Sequence, residues 1–147
     1  MIAVLQRVKS CSVDIENVTQ TSIKKGMLVL LGIEVDDSDH DIKYITNKLL
    51  KLRIFNDSDN RMNLSVMDIN GEIMVVSQFT LCGETKKGNR PSYIKAMSAD
   101  QARELYNQFT SYISSVYSKI KTGTFQADMD INLVNDGPVT LIVRSRD

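Results

Sequence analysis

The spacing of hydrophobic residues changes along the chain, and each spacing predicts a different element. Val13 and Ile15 alternate with polar residues, Glu16-Asn17 offers a turn, and residues 18–23 continue as a second strand, which together predict a β-hairpin. Residues 27–33 are apolar on both faces. This pattern is typical of a strand covered on both sides, so we place it at the centre of a sheet.

Two amphipathic helices are predicted, each behind a polar capping pattern. Ser38 with Asp41 precedes apolar residues at helical spacing that end at Leu52. Ser98 precedes a second stripe over residues 102–116, which is about five helical turns.

The remaining apolar segments read as strands. Asn70-Gly71 favours a type I′ turn, so segments 64–69 and 72–81 are expected to form a hairpin. Residues 130–143 contain two further strand-like runs joined by Asn135-Asp136-Gly137-Pro138. Two helices against about seven strands indicate an α/β sheet protein, for which a closed barrel is one arrangement.

Composition narrows the class of protein. At 147 residues the chain is expected to be one domain, 1–147. Its 18 basic and 18 acidic residues cancel, so an RNA partner must be held by a local basic patch. No apolar run is long enough to cross a membrane, and the start does not resemble a signal peptide. Cys11 and Cys82 form neither a disulfide framework nor a zinc motif, so we expect a cytoplasmic protein without a metal.

Two short segments are candidates for chemistry. Ser77-Gln78-Phe79-Thr80 lies where a strongly apolar strand turns polar, although, taken alone, this segment is better explained as an ordinary half-buried strand. Asn135 to Thr140 contains Gly137-Pro138, which is either a plain turn or a rigid corner that presents backbone carbonyls outward.

Basic residues cluster at two places in this neutral chain. Lys86, Lys87 and Arg90 lie in a loop with Tyr93, and such a loop either holds phosphates and stacks on a base or is simply solvated. Lys24-Lys25 is a weaker candidate, better explained as a surface turn.

The sequence offers little evidence for a histidine-based triad or a cysteine nucleophile. His40, the single histidine, sits among carboxylates at the start of the first helix, and a solvated helix end explains it better than a catalytic triad. A thiol esterase using Cys82 remains a hypothesis, because Cys82 follows the Ser77 segment; a buried inert thiol is the simpler interpretation.

Several motifs in order resemble those of the D-aminoacyl-tRNA deacylases, esterases that free tRNA from wrongly attached D-amino acids. The resemblance runs over essentially the whole chain and is most specific in Val75-Val76-Ser77-Gln78-Phe79-Thr80-Leu81, Lys87-Gly88-x-Arg90-Pro91-Ser92, Thr122-Gly123-x-Phe125-x-Ala127-Asp128-Met129 and Leu133-Val134-Asn135-Asp136-Gly137-Pro138-Val139-Thr140.

This resemblance implies a β-barrel-like α/β fold with two main helices packed on the sheet. It also implies a homodimer with its two active sites at the subunit interface, an aminoacyl-tRNA substrate and no cofactor. Gly137-Pro138 is then a cis pair that each subunit inserts into its partner's site, where rigid carbonyls exclude an L side chain. Arg7 braces that loop.

The same resemblance implies roles for the other candidates. Ser77, Gln78 and Thr80 are the catalytic residues, while Phe79 and Met129 border the substrate. The loop basic residues, Lys86, Lys87 and Arg90, are expected to contact tRNA.

Beside the thiol esterase named above, two mechanisms of deacylation and two functions stay open at this point. Either Thr80 is the nucleophile, or water attacks with help from the ribose 2′-hydroxyl of tRNA; we favour water, because no base adjoins the threonine. Mischarged glycyl-tRNA is a plausible further substrate, since glycine has no side chain to exclude. The alternative function is a non-catalytic tRNA- or RNA-binding module.

Overall fold

The computed structural model describes residues 1–146. In this part of the chain the elements follow in the order β1 (Ile2–Ile15), β2 (Val18–Ile23), β3 (Gly26–Gly32), α1 (Asp39–Lys51), β4 (Phe55–Asn56), β5 (Met62–Leu64), β6 (Glu72–Ser77), a short 3-10 helix (Phe79–Cys82), α2 (Ala99–Val116), β7 (Ile120–Thr122) and β8 (Asp130–Arg144).

The long strand β1 organises the sheet. Its first half pairs antiparallel with β3, its second half pairs antiparallel with β2, and β8 pairs antiparallel along its other edge. β6 lies between β3 and β7 and is parallel to both. The result is a nearly closed, barrel-like sheet with two helices, which confirms the predicted fold class.

Both helices bury their apolar stripes in the main core. The fully buried side chains there include Leu5, Met27, Ile45, Leu49, Phe109 and Ile113. A second, smaller core lies around Val8, Val13 and Met74. Neither α1 nor α2 is long and apolar enough to span a membrane.

The strongly periodic segments fold as predicted. The first hairpin turns at Glu16 and Asn17, both with positive φ (51° and 62°), as a type I′ turn requires. Residue Ser38 caps α1 through a reciprocal capping box with Asp41. The central strand, β3, lies between β1 and β6.

The predicted hairpin over 64–81 is wrong. Residues 65–71 form a compact turn, in which Asp68 accepts hydrogen bonds from the Ser65 amide (2.7 Å) and hydroxyl (2.8 Å). Strand β6 then pairs with β3 and β7 and ends at Ser77, not at Leu81. Because β6 is apolar on both faces, two sequence-distant neighbours cover it better than one adjacent strand.

The two runs predicted within residues 130–143 are one strand, β8. Its pairing with β1 shifts between Gln6↔Thr140 and Val8↔Asn135, so four residues of β8 lie opposite Arg7. The strand therefore bulges at Gly137-Pro138 without ending there.

Candidate active site

A cleft of about 630 Å³ opens at the carboxyl ends of β3 and β6. These strands are parallel, with Leu31 paired to Ser77, so their ends share one edge of the sheet. The residues lining the cleft are Leu31, Ile33, Val76, Ser77, Gln78, Phe79, Met97, Ala99, Ala102, Phe125, Gln126, Ala127, Asp128, Met129 and Ile131. Most of the wall is apolar, and Asp128 is its one charged residue.

The chain reverses into the 3-10 helix directly after β6. The backbone amide of Gln78 donates a hydrogen bond to the Leu31 carbonyl (2.7 Å). The 3-10 helix that follows packs against Gly32. A β-carbon on Gly32 would lie only 3.0 Å from Cβ of Leu81, so glycine allows this close approach. As a result Ser77, Gln78 and Phe79 all line the cleft.

Thr80 lies beside the cleft and is not among the residues that line it. The Gln78 side-chain amide donates a 2.5 Å hydrogen bond to the Thr80 hydroxyl oxygen. The amides of Phe79 and Thr80 begin the 3-10 helix and therefore have no acceptor within it. The backbone N–H groups of Phe79 and Thr80 and the side-chain amide of Gln78 are thus hydrogen-bond donors at this end of β6.

The opposite wall follows β7. Arg103 of α2 stacks over the Phe125 ring, 4.8 Å from its centroid, and donates to the Gln126 side chain. Gln126 has a positive φ of 63°, and this turn directs the chain back past Ala127 to Met129. Met129 is the one residue of this wall predicted from the sequence to border the site, although the whole segment belongs to a motif of the resemblance.

Two small residues on α2, Ala99 and Ala102, leave room for the cleft. They lie three positions apart and so share one face of the helix. Ala99 was not predicted from the sequence to be a site residue, and Ala102 was predicted to belong to the core stripe. A small residue at the start of an otherwise bulky stripe was the available signal.

The basic loop is attached to the cleft through an aromatic pair. The rings of Phe79 and Tyr93 meet edge to face, with centroids 5.2 Å apart. Lys86, Lys87 and Arg90 are exposed on this loop, which is held at its base by backbone pairing of Glu84 with Ser92. The Phe79–Tyr93 contact thus joins the loop that carries these basic residues to the rim of the cleft.

Arg7 lies elsewhere, buried beneath the bulge of β8. Only 6% of this residue is exposed. Its Nε donates to the Asp136 carbonyl (3.0 Å), and its Nη1 donates to the Ile54 carbonyl (2.5 Å) and to Asn56 Oδ1 (3.2 Å). The Asp136 carboxylate lies 3.5 Å from Nε. The guanidinium therefore ties the bulge to the segment after α1.

The Gly137-Pro138 corner packs directly on this arginine. Gly137 has φ +102°, and a β-carbon there would lie 2.0 Å from Nη2 of Arg7. The Asn135 side chain donates to the carbonyls of Arg7 (2.9 Å) and Val139 (3.2 Å), which closes the bulge from the other side. The corner is exposed and does not line the cleft of its own chain.

The prediction that the peptide bond between Gly137 and Pro138 is cis is wrong. No cis peptide occurs among residues 1–146, so the bond from Gly137 to Pro138 is trans. The trans isomer is intrinsically preferred even before proline, and it lets β8 continue through the bulge.

The thiols and the histidine are not arranged for catalysis. Cys82 is 4% exposed, and burial together with the charges of Glu34 and Asp37 raises its pKa to about 11. Burial also raises the pKa of Cys11 to about 11. His40 is exposed at the start of α1. Within residues 1–146 no group of three or more His, Cys, Asp or Glu side chains is placed to hold a metal ion.

Comparison with known proteins gives concordant matches. The sequence model described as D-Tyr-tRNA(Tyr) deacylase matches residues 4–144. Proteins named D-aminoacyl-tRNA deacylase from Thermosipho africanus and Flavobacterium psychrophilum are 49% and 52% identical, over 99% of this chain and 98% of each relative. A solved structure, named c-Myc DNA Unwinding Element Binding Protein, superposes with TM-score 0.96 at 39% identity, covering 100% of both chains. A probable eukaryotic D-amino acid tRNA deacylase shares the fold, with TM-score 0.85 at 17% identity over 97% of both chains.

Proposed function

The chain belongs to the D-Tyr-tRNA(Tyr) deacylase family, and we propose that it hydrolyses the ester bond of D-aminoacyl-tRNA. The products are the free D-amino acid and tRNA. The observation that carries this proposal is the cleft at the end of β6, where uncharged donors stand in a largely apolar wall. Such a site suits an acylated tRNA end, whose ester needs orientation and charge stabilisation more than a strong base.

The donors at the end of β6 define the proposed oxyanion site. The unpaired amides of Phe79 and Thr80 and the side chains of Ser77 and Gln78 can donate to the oxygen that becomes negative during attack. Each such donor is typically worth a factor of about 10² to 10³ in rate. Phe79 and Met129 border the substrate in this arrangement.

Water, assisted by the ribose 2′-hydroxyl of the tRNA, is the proposed nucleophile. The Thr80 oxygen already accepts a hydrogen bond from Gln78, which withdraws electron density from it. Within residues 1–146 no histidine, lysine or carboxylate forms a hydrogen bond to Thr80 that would take its proton. Thr80 is therefore assigned to holding Gln78 in place rather than to attack.

Selection of the D-enantiomer is assigned to the Gly137-Pro138 corner of a second copy of the chain. Carbonyl groups held rigidly by the buried Arg7 would occupy the space into which an L side chain projects. This rejection by collision requires a fixed backbone and does not depend on the isomer of the proline bond. Glycyl-tRNA, which has no side chain to collide, is then also a substrate.

A homodimer is proposed because the corner cannot act on its own cleft. In the described part of the chain, residues 1–146, strand β8 pairs with β1 alone, so its outer edge is open to another chain. Val134, Leu141 and Ile142 are exposed there, Ile142 by 63%. Burying this apolar row against a second copy would bring a corner to each cleft.

Two further parts of the proposal follow from the substrate. Lys86, Lys87 and Arg90, which are exposed on the loop whose Tyr93 contacts Phe79, are assigned to tRNA phosphates near the acylated end. Because aminoacyl-tRNA is made and used in the cytoplasm, we place the protein there.

A deacylation assay tests the function directly. The protein is incubated with D-Tyr-tRNA and L-Tyr-tRNA, with and without a thiol reagent, and release of the amino acid is followed. We expect hydrolysis of the D-ester alone, unaffected by the reagent, since Cys82 is buried with a raised pKa. Binding without release would favour the RNA-binding module, and loss of activity with the reagent would favour the thiol esterase.

Mixing two inactive variants tests the shared site. Gln78→Ala removes a donor from the cleft, and Gly137→Ala distorts the corner. In a mixed dimer one of the two sites keeps both wild-type parts. Random exchange should therefore restore about a quarter of wild-type activity, whereas no restoration by dimers shown to exchange would contradict a site built from both subunits.

A further inference from the structure

A second cleft, of about 470 Å³, lies at the amino ends of β3, β6 and β7. The turn between β2 and β3 brings Lys24 and Lys25 to it, and the start of β7 brings Lys119 and Lys121. Glu72 is the one acidic residue that lines it. Four positive charges therefore face one negative charge, in a chain whose total charge is zero.

Two of these lysines are held in place by the fold. Lys119 Nζ donates to the Asn70 carbonyl (2.9 Å), and Lys121 Nζ donates to the Ser22 carbonyl (2.6 Å). Lys121 Nζ also lies 3.5 Å from Glu72 Oε1. An ammonium group has three donors, so each lysine keeps at least one for a ligand.

The other two lysines stand on a rigid turn with their side chains free. Glu72 Oε2 accepts a 2.6 Å hydrogen bond from the backbone amide of Lys24. Gly26, which follows Lys25, packs so closely that a β-carbon there would lie 1.8 Å from the Glu72 carbonyl oxygen. The side chains of Lys24 and Lys25 make no hydrogen bond or ion pair within residues 1–146. Their charges are thus available to a partner.

We propose that this lysine cleft binds the phosphate backbone of the RNA substrate, away from the reacting ester. The proposal rests on the proposed function, because it assigns the cleft to the body of the same tRNA. Four ammonium groups around an open cleft, two of them exposed and unpaired within residues 1–146, suit a repeating polyanion, since they supply charge without the fixed geometry that selects one small ligand.

The separation of the two clefts fits one RNA molecule. Strand β6 runs from Glu72 at the lysine cleft to Ser77 at the active-site cleft, which is about 17 Å at a strand rise of roughly 3.3 Å per residue. The phosphates of a polynucleotide strand follow one another every few ångströms along its axis, so this distance corresponds to several nucleotides. An RNA with its acylated end in one cleft is therefore long enough to reach the other.

Binding of uncharged tRNA is the direct test, because it does not depend on catalysis. The double variant Lys24→Gln/Lys25→Gln keeps the backbone amide that Glu72 accepts from, so the turn is retained. We expect about tenfold weaker binding by fluorescence anisotropy, and a plot of log affinity against log salt that is shallower by roughly 1.5 to 2. Lys24→Arg/Lys25→Arg should bind as the wild type does.

The matched control is Lys48→Gln/Lys51→Gln, which removes the same charge from the last turn of α1. If it weakens tRNA binding as much as the cleft variant does, or if the cleft variant binds with wild-type affinity and salt dependence, the proposal is wrong. Competition by inorganic phosphate at low millimolar concentration, with no effect of the cleft variant on tRNA binding, would assign the cleft to a small anion and overturn it.

Kinetics then separate this proposal from the proposed function. With D-aminoacyl-tRNA the cleft variant should raise KM about tenfold and leave kcat unchanged. With D-aminoacyl-adenosine, which has no RNA body, both constants should equal those of the wild type. A protein that binds tRNA through these lysines but releases no amino acid would retain this proposal and refute the deacylase.

Discussion

The active-site cleft and the Gly137-Pro138 corner are built in opposite ways. The cleft is open, largely apolar and lined by few polar groups, and Phe79 at its rim is 59% exposed. The corner is held from beneath by a buried arginine with three hydrogen bonds, and from the side by Asn135. One region leaves space, and the other fixes backbone atoms.

This difference shows how selection between D- and L-esters can be separated from hydrolysis of the ester. An open pocket accepts many side chains and selects poorly among them, because apolar contacts give side chains of similar shape similar binding energies. A rigid backbone corner rejects one hand by collision, provided that it cannot yield. Changes that loosen the corner should therefore lower selectivity, and changes that push it out of place should also lower the rate, whereas changes in the cleft should alter the rate alone.

Arg7→Met should have the largest effect. Methionine keeps the apolar stem but leaves the buried carbonyls of Ile54 and Asp136 without their donor. We expect a loss of about 4 kcal/mol in the free energy of unfolding, measured by urea denaturation. In the protein that remains folded, the ratio of D- to L-ester hydrolysis should fall by at least about tenfold, since 1.4 kcal/mol corresponds to that factor. An unchanged ratio would show that the corner does not need Arg7 to reject L-esters.

Gly137→Ala should come next. Its β-carbon would lie 2.0 Å from Nη2 of Arg7, and alanine is strained at φ +102°. We expect about 3 kcal/mol of destabilisation and a loss of activity of about 100-fold.

Gly88→Ala is the matched control for this variant. It also places alanine at positive φ (+64°), but nothing lies within 4 Å of the added carbon. Its cost should be about 1 kcal/mol from backbone strain alone. Equal denaturation midpoints for the two variants would show that the packing on Arg7 contributes nothing.

Gly32→Ala tests the cleft without touching the corner. The added carbon would meet Leu81 Cβ at 3.0 Å and the Gln78 carbonyl oxygen at 3.2 Å, so the 3-10 helix must shift by a few tenths of an ångström. We expect about 1 to 2 kcal/mol of destabilisation and a several-fold lower kcat, because the Gln78 and Phe79 donors move with the helix. The D-to-L ratio should stay at the wild-type value. A changed ratio with normal kcat would contradict the division between the two regions.

The parts of the fold that local patterns determine were predictable from the sequence. Ser38 with Asp41 marks the start of α1, and Glu16-Asn17 marks the first hairpin, because caps and tight turns depend on neighbouring residues. Asn70-Gly71 led to the wrong prediction of a hairpin over residues 64–81 for the same reason. It favours a local turn, but the partners of β6 lie far away in the sequence, and burial of both its faces determined the pairing.

The candidate site was predictable only in its polar segment. Ser77 and Gln78 are conspicuous because polar residues follow an apolar strand. Ala99 and Gly32 matter through the space they leave, and that space exists only once α2 and the 3-10 helix meet the sheet. The contact between Arg7 and Gly137 joins residues 130 positions apart, and no periodicity within either segment records it.

Thr80→Ala should have the smallest effect, and it decides how the cleft attacks the ester. The substitution removes the acceptor that holds the Gln78 amide at 2.5 Å but leaves the backbone amides of Phe79 and Thr80 in place. We therefore expect kcat within about tenfold of the wild type, less than the factor of about 10² to 10³ for losing an oxyanion donor. Stability should change by less than about 0.5 kcal/mol, because Thr80 is exposed. Single-turnover rates with D-Tyr-tRNA measure this directly. A loss of several orders of magnitude with unchanged substrate binding would make Thr80 the nucleophile and exclude attack by water.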